Sequence, residues 1–94
     1  MLIENKNQVL KIIFSEKFNI YSVSEARKNL LINFKSIKAG QKLILNLEKV
    51  KKIDTSGLQL LLSSKKYLDK EKIDYEFIFS TTVQKILQLY KLEI

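Results

Sequence analysis

The residues of this chain that could carry chemistry are concentrated in one short polar segment, Asp54-Thr55-Ser56-Gly57. Asp, Thr and Ser are preferred at the N-cap of a helix, so one interpretation is a plain helix cap. A helix N-terminus also offers free backbone N–H groups and a positive dipole end, both of which stabilise negative charge. A phosphate on Ser56 or Thr55 would add nearly two negative charges at such a place. Gly57 has no side chain and leaves room for another chain to approach, so the spacing keeps both a cap and a regulatory site open.

The composition excludes most routes to catalysis. The chain contains no histidine and no cysteine, so Ser–His–Asp triads, imidazole or thiolate metal sites and disulfides are all absent. Ser56 would therefore lack a histidine base, and the segment lacks the glycines and lysine of a P-loop. Asp54 could accept a phosphoryl group as in response regulators, but Gln8–Phe14 supplies no acidic residues to hold magnesium. We predict a protein that is not an enzyme, with no catalytic residues, no metal site and no cofactor.

Length, hydropathy and charge predict one soluble domain spanning residues 1–94. The chain has the usual size of a single domain, and its 46% hydrophobic residues are sufficient for one modest core. No secretory segment opens the sequence, and no apolar stretch approaches the ~18 residues that span a bilayer. We therefore expect a cytoplasmic protein without direct membrane insertion. The net charge of +7 comes from dispersed lysines without interleaved aromatic residues, so nucleic acid is not an expected partner.

Strand and helix patterns alternate around the polar segment. Apolar runs predict four strands, Leu2–Asn5, Gln8–Phe14, Lys42–Leu47 and Tyr75–Phe79. A capping box at Ser22-Val23-Ser24-Glu25 predicts the start of a first helix, which we expect to end near Gly40. Its apolar stripe is formed by Val23, Ala26, Leu30, Phe34 and Ile37.

Two further helices follow the same periodicity. The second begins after Asp54–Gly57 and carries Leu58, Leu61, Leu62 and Leu68 on its apolar side. The third begins at Ser80 or Thr81 and carries Val83, Ile86, Leu87 and Tyr90. The order predicts an α/β fold, a mostly parallel sheet of four to five strands with about three helices packed on it. The nearly continuous apolar run Lys42–Leu47 predicts a strand covered on both faces.

The region around the polar segment resembles the signature of STAS domains. In that family a strand leads into Asp-Ser/Thr-Ser/Ala-Gly-Leu and then into a leucine-rich helix. Here the corresponding residues are Leu45–Val50, Asp54-Thr55-Ser56-Gly57-Leu58 and Gln59-Leu60-Leu61-Leu62. The order and length of the other predicted elements agree over nearly the whole chain. The resemblance implies a single STAS-like domain that acts by binding a partner.

One branch of this family, the bacterial anti-sigma-factor antagonists, implies a phosphorylation switch. Its phosphorylated serine is the second hydroxyl residue of the motif, which is Ser56 here. The implied partners are an anti-sigma or histidine-kinase-like serine kinase and a serine phosphatase, in sigma-factor or chemotaxis-type signalling. The implied partner-binding residues are Asp54, Thr55, Ser56, Gly57, Leu58 and Gln59.

A second branch implies a permanent subunit in place of a switch. Proteins similar to MlaB bind the ATPase of an ABC lipid transporter, and there the hydroxyl of interest is at the position of Thr55. The position of Ser56 is often alanine in that branch. This chain has both hydroxyls, so the motif keeps both branches open, and its end at Leu92-Glu93-Ile94 resembles the compact members.

Overall fold

A four-stranded sheet forms the centre of the protein. The computed structural model describes residues 1–18 and 20–94, and side chains are described except at residues 19–22. The strands in this part of the chain are β1 (Leu2–Lys6), β2 (Val9–Ile13), β3 (Lys17–Phe18), β4 (Lys42–Leu47), β5 (Lys52–Ile53) and β6 (Asp74–Phe79). The sheet has the order β1-β2-β4-β6, in which β2, β4 and β6 are parallel and β1 is antiparallel to β2. The predicted mostly parallel α/β fold is confirmed, and a separate parallel pair joins β3 to β5.

Three helices connect and follow these strands in the described residues. They are α1 (Ile20–Lys35), α2 (Thr55–Lys70) and α3 (Thr81–Leu89). Ser80 caps α3, since its Oγ accepts a hydrogen bond from the Val83 N–H at 3.2 Å and donates one to the Val50 carbonyl at 2.7 Å. None of the described helices is both long enough and apolar enough to cross a membrane.

Three of the sequence-based boundaries were wrong. Helix α1 begins at Ile20, two residues before the predicted cap at Ser22, whose side chain lies outside the described residues. The helix ends at Lys35, so Gly40 is not its cap and instead occupies a separate turn with φ +83°. Tyr90 is 59% exposed and does not join the apolar stripe, because α3 ends one residue before it.

The helices cover one face of the sheet. Leu10, Ile12, Leu43, Leu45 and Leu47 point to this face and form a single cluster with buried residues of all three helices, Ala26, Leu30, Phe34, Leu58, Leu60, Leu61, Leu68, Val83 and Leu87. Ile13, Ile44 and Ile78 alternate with strand residues of that cluster and lie outside it. They therefore belong to the opposite face of the sheet, where all three are only partly buried.

The prediction that β4 is covered on both faces was therefore wrong. Ile44 is half-buried and stands between Lys11 on β2 and Glu76 on β6. On the same face, Lys42 forms an ion pair with Glu76 at 3.6 Å, and both side chains are about half exposed. The long stems of such charged side chains can shield an isoleucine from water without a covering helix.

Tyr75 links β6 to α2 through Asp69. The Tyr75 hydroxyl donates a hydrogen bond to Asp69 Oδ1 at 2.6 Å, and Lys65 Nζ donates one to Oδ2 at 2.7 Å. The hydrogen bond from Lys65, followed by that from Tyr75, lowers the pKa of Asp69 below its ordinary value. Burial, followed by the hydrogen bond to Asp69, raises the pKa of the Tyr75 phenol. The cluster thus favours an ionised Asp69 beside a protonated phenol.

We expect Asp69→Asn to remove part of the acid sensitivity of folding. The pKa of Asp69 is lower in the folded state, so its stabilising effect is complete above the unfolded-state pKa and is lost as the pH falls through the folded-state pKa. Urea unfolding of the wild type and the variant should show a stability difference that is largest near neutral pH and shrinks in acid. Because the cluster is at the surface, added salt should reduce the difference.

A matched control is Asp74→Asn, which removes the same group from the exposed start of β6 and leaves the Lys65–Asp69–Tyr75 cluster in place. Its stability difference at neutral pH should be smaller than that of Asp69→Asn, because no hydrogen bond of the cluster is lost. If the stability difference between the wild type and Asp69→Asn grew as the pH fell, the lowered pKa of Asp69 in the folded state would be contradicted.

Candidate functional site

The polar segment predicted from the sequence forms the junction between β5 and α2. Asp54 is the N-cap of α2, with extended backbone, and its Oδ1 accepts a hydrogen bond from the Gly57 N–H at 3.0 Å. The Asp54 carbonyl accepts the first helical hydrogen bond, from the Leu58 N–H at 3.0 Å. The Asp54 N–H donates to the carbonyl of Phe18 on β3 at 3.4 Å. The segment is therefore a helix cap, and it is fixed to β3 as well as to α2.

Gly57 is the point where β3 packs directly against α2. A Cβ atom at this position would lie 2.7 Å from the Phe18 carbonyl oxygen and 2.8 Å from Cγ1 of Ile53. Real Cβ atoms essentially never approach other atoms so closely. The neighbour for which this glycine leaves room is thus part of the same chain, and the expected approach by another chain finds the space already filled.

The side chains of the motif divide between the interior and the surface. Gly57 is buried and Leu58 is only 6% exposed, so both support the turn from within. Thr55 and Gln59 are exposed, whereas Ser56 and Asp54 are half-buried. The surface that a partner could touch is consequently made by Thr55, Ser56 and Gln59, and it is held in place by the other three predicted residues.

A groove between α1 and α2 opens beside Ser56. The part next to Ser56 has a volume of about 250 Å³, and we call it the polar end, formed chiefly by Ser24, Arg27, Ser56, Gln59 and Ser63. The groove continues as a second hollow of about 160 Å³, the apolar end, formed chiefly by Leu30, Leu31, Phe34, Leu60 and Tyr67. The two hollows share Arg27, Leu60 and Ser63, so they form one α1–α2 groove.

The two helices that form the groove run in the same direction. Ser56 shares the polar end with Val23, and further along the rings of Phe34 and Tyr67 stack with centroids 5.8 Å apart. Along α2 the groove residues Ser56, Leu60, Ser63 and Tyr67 follow at spacings of four and three residues, which place them on one helix face. The face that carries Ser56 is therefore the face turned toward α1.

The α1 side of this groove was not predicted from the sequence. Helical spacing predicted an apolar stripe that includes Ala26, Leu30 and Phe34, and the structure confirms that these three residues are buried. Ser24 and Arg27, which border that stripe on the side facing α2, were not predicted to belong to a binding surface. A stripe of apolar residues shows which side of a helix meets the core, but not which neighbouring helix flanks it.

Comparison with known proteins identifies the family of the chain. A search of curated proteins finds no match. The profile of the STAS domain matches residues 1–93, a range that includes every strand and helix described above and the segment from Asp54 to Gln59. The match agrees with the observed mixed sheet, the three helices and the polar cap of α2. This chain therefore belongs to the STAS domain family.

Proposed function

We propose that this protein is a regulatory binding module that is switched by phosphorylation of Ser56. The observation that supports it most directly is the position of Ser56, half-buried in the first turn of α2 and lining the polar end of the α1–α2 groove. A group added to Ser56 changes both the shape and the charge of this surface. STAS domains generally act through protein–protein contacts. In this proposal the chain does no catalysis and needs no cofactor or metal.

The phosphoryl group comes from ATP bound to a partner, an anti-sigma or histidine-kinase-like serine kinase in the cytoplasm. Ser56 Oγ gives its proton to a base of the kinase and bonds to the γ-phosphorus, while the bond from that phosphorus to the β,γ-bridging oxygen breaks and ADP leaves with the electron pair. A serine phosphatase restores the hydroxyl by adding water to the phosphorus and releasing inorganic phosphate. The pathway of this proposal is partner switching in sigma-factor or chemotaxis-type signalling.

Phosphorylation weakens the complex through charge and bulk. The chain carries a net charge of +7, which favours a partner with an acidic surface. A phosphoserine adds nearly two negative charges and three acceptor oxygens at the polar end of the groove. Repulsion from the acidic partner and the loss of hydration of the phosphate both oppose docking.

The proposal predicts different affinities for two variants of Ser56. The chain is first used to capture its ATP-binding partner from the native organism, and the purified partner is then titrated with each variant by calorimetry. We expect Ser56→Asp to weaken binding roughly tenfold or more, while Ser56→Ala binds like the wild type. Ser36→Asp is the matched control, since Ser36 is exposed just after α1 and outside the groove. Equal affinities of Ser56→Asp and Ser56→Ala would exclude the switch.

The exposure of Thr55 favours a second candidate function. Thr55 is exposed whereas Ser56 is half-buried, so Thr55 is the hydroxyl more available to a permanently bound partner. In this candidate the chain is a constitutive subunit that holds the ATPase of an ABC lipid transporter through Thr55. The same titration separates the two functions, because the partner would then be an ABC ATPase. Thr55→Ala would weaken its binding and Ser56→Ala would leave it unchanged.

A further inference from the structure

The polar end of the α1–α2 groove brings a guanidinium group to the helix face that carries Ser56. Arg27 extends from α1 and Ser56 from α2, and both line the same hollow of about 250 Å³. Arg27 is exposed, so its side chain is not committed to the core. Its position in both hollows of the groove places it where the polar and apolar ends meet.

The type of this residue is unusual for the chain. Arg27 is the single arginine among 17 basic residues, and the remaining 16 are lysines. Arginine differs from lysine in its planar fork of N–H donors, which binds two phosphate oxygens at once and stays charged at any physiological pH. The only residue able to bind a phosphate in this bidentate way thus lies in the groove that contains the candidate phosphorylation site.

The other charges near Ser56 do not provide such a partner. Arg27 is the only charged side chain among the described residues that line the polar end. Asp54 caps α2 with its carboxylate and would repel a phosphate on Ser56. Lys52 lies on β5, before the cap, and its exposed ammonium is strongly hydrated.

We propose that a phosphate on Ser56 is held by Arg27 of the same chain, and that this ion pair closes the polar end of the α1–α2 groove. The inference rests on the proposed function and deepens it, because it states how the phosphorylated form withdraws its own docking surface. Phosphorylation then does more than repel a partner. It draws an α1 side chain across the surface that the partner would occupy.

The test uses the full chain with phosphoserine incorporated in place of Ser56 during translation, so that no kinase is required. Phosphorus NMR follows the second ionisation of the phosphate as a function of pH. We expect Arg27→Gln to raise the pKa of the phosphate by about half a unit or more, because a nearby cation stabilises the dianion. Lys28→Gln, the next residue on α1, removes the same charge outside the groove and should change the pKa much less. Identical titrations of the two variants would overturn the proposal.

A second measurement uses the unaltered Arg27. Because the chain has one arginine, its side-chain Nε–H gives a single proton–nitrogen resonance. In the phosphoserine protein this resonance should shift from its unmodified position, exchange more slowly with water and titrate together with the phosphate. An Arg27 resonance that is the same with and without the phosphate would also overturn the proposal.

The two proposals fail in distinguishable ways. The NMR experiments contain no partner and no kinase, so they test only the ion pair between Arg27 and the phosphate. The switch itself fails if Ser56→Asp and Ser56→Ala bind the purified partner equally. If Ser56→Asp and Ser56→Ala differ in affinity for the partner, the switch is supported. If the phosphate pKa is then the same in Arg27→Gln and Lys28→Gln, the ion pair alone is rejected.

Discussion

Replacing Gly57 with alanine should lower the free energy of unfolding by about 2–3 kcal/mol, through overpacking at the start of α2. The new Cβ would meet the backbone carbonyl of Phe18 at 2.7 Å, and a backbone atom cannot rotate away as a side chain can. The higher helix propensity of alanine offsets at most about 1 kcal/mol of this loss. Denaturant unfolding, followed by circular dichroism, measures the change.

Gly40→Ala is the matched control for this substitution. A Cβ atom at Gly40 would lie more than 4 Å from the described residues other than its chain neighbours, but its φ of +83° is unfavourable for any residue with a side chain. We expect a loss of about 1 kcal/mol from backbone strain alone, which separates the steric effect at Gly57 from the general effect of replacing a glycine. A Gly57→Ala variant that is as stable as the wild type would show that β3 does not pack against α2 as described.

Ile12→Ala should lower the free energy of unfolding by about 3–4 kcal/mol, whereas Ile13→Ala should lower it by about 1 kcal/mol. The two isoleucines are neighbours on β2 and point to opposite faces of the sheet. Ile12 is 0% exposed within the helix-covered core, whereas Ile13 is half-buried on the face that the described helices leave uncovered. The pair is therefore a matched comparison of the two faces with the same chemical change.

Urea unfolding of both variants tests this difference. A domain of this size is stabilised by only about 5–15 kcal/mol, so the loss at Ile12 is a large share of the total. Equal losses of unfolding free energy at Ile12 and Ile13 would mean that the face carrying Ile13 is also covered in solution, by another segment or another molecule. The comparison therefore tests the one-sided arrangement of the helices as well as the core.

The elements with strong periodicity were predictable from the sequence. Strands β4 and β6 are short apolar runs, and α2 and α3 carry leucines and β-branched residues at helical spacing behind a polar cap. The cap at Ser80 was predicted to within one residue because a hydroxyl precedes the apolar stripe of α3. Local sequence was sufficient for these elements because the physical signal is itself local.

The features of the fold that were not predicted from the sequence depend on contacts between distant segments. Strands β3 and β5 contain two residues each, too few to show any alternation, and they form by pairing with each other. The one-sided burial of β4 was missed because Ile44 reads as a core residue, while its charged neighbours Lys11 and Glu76 come from other strands. The periodicity of one strand does not indicate which residues of the adjacent strands lie beside it in the sheet.

The candidate site was found in part for the same reason. Asp54 to Gln59 form one continuous segment, so their types and spacing pointed to the start of α2. Arg27 lies on another helix, and no local pattern links it to Ser56. The steric requirement for a glycine at position 57 was likewise not predictable, because Phe18, whose carbonyl oxygen imposes it, is far from Gly57 in the sequence.

The small β3–β5 pair also has a consequence for motion. The start of α2 is fastened through the Phe18 carbonyl to a ladder of two-residue strands that is separate from the main sheet. Short ladders of this kind open by local fluctuation at a lower free energy than global unfolding, and amide hydrogen exchange detects such openings. If a kinase must reach the half-buried Ser56 hydroxyl, this opening equilibrium sets the fraction of molecules ready to react. The speed of the proposed switch would then depend on the stability of a few backbone hydrogen bonds among β3, β5 and Asp54, two residues before Ser56.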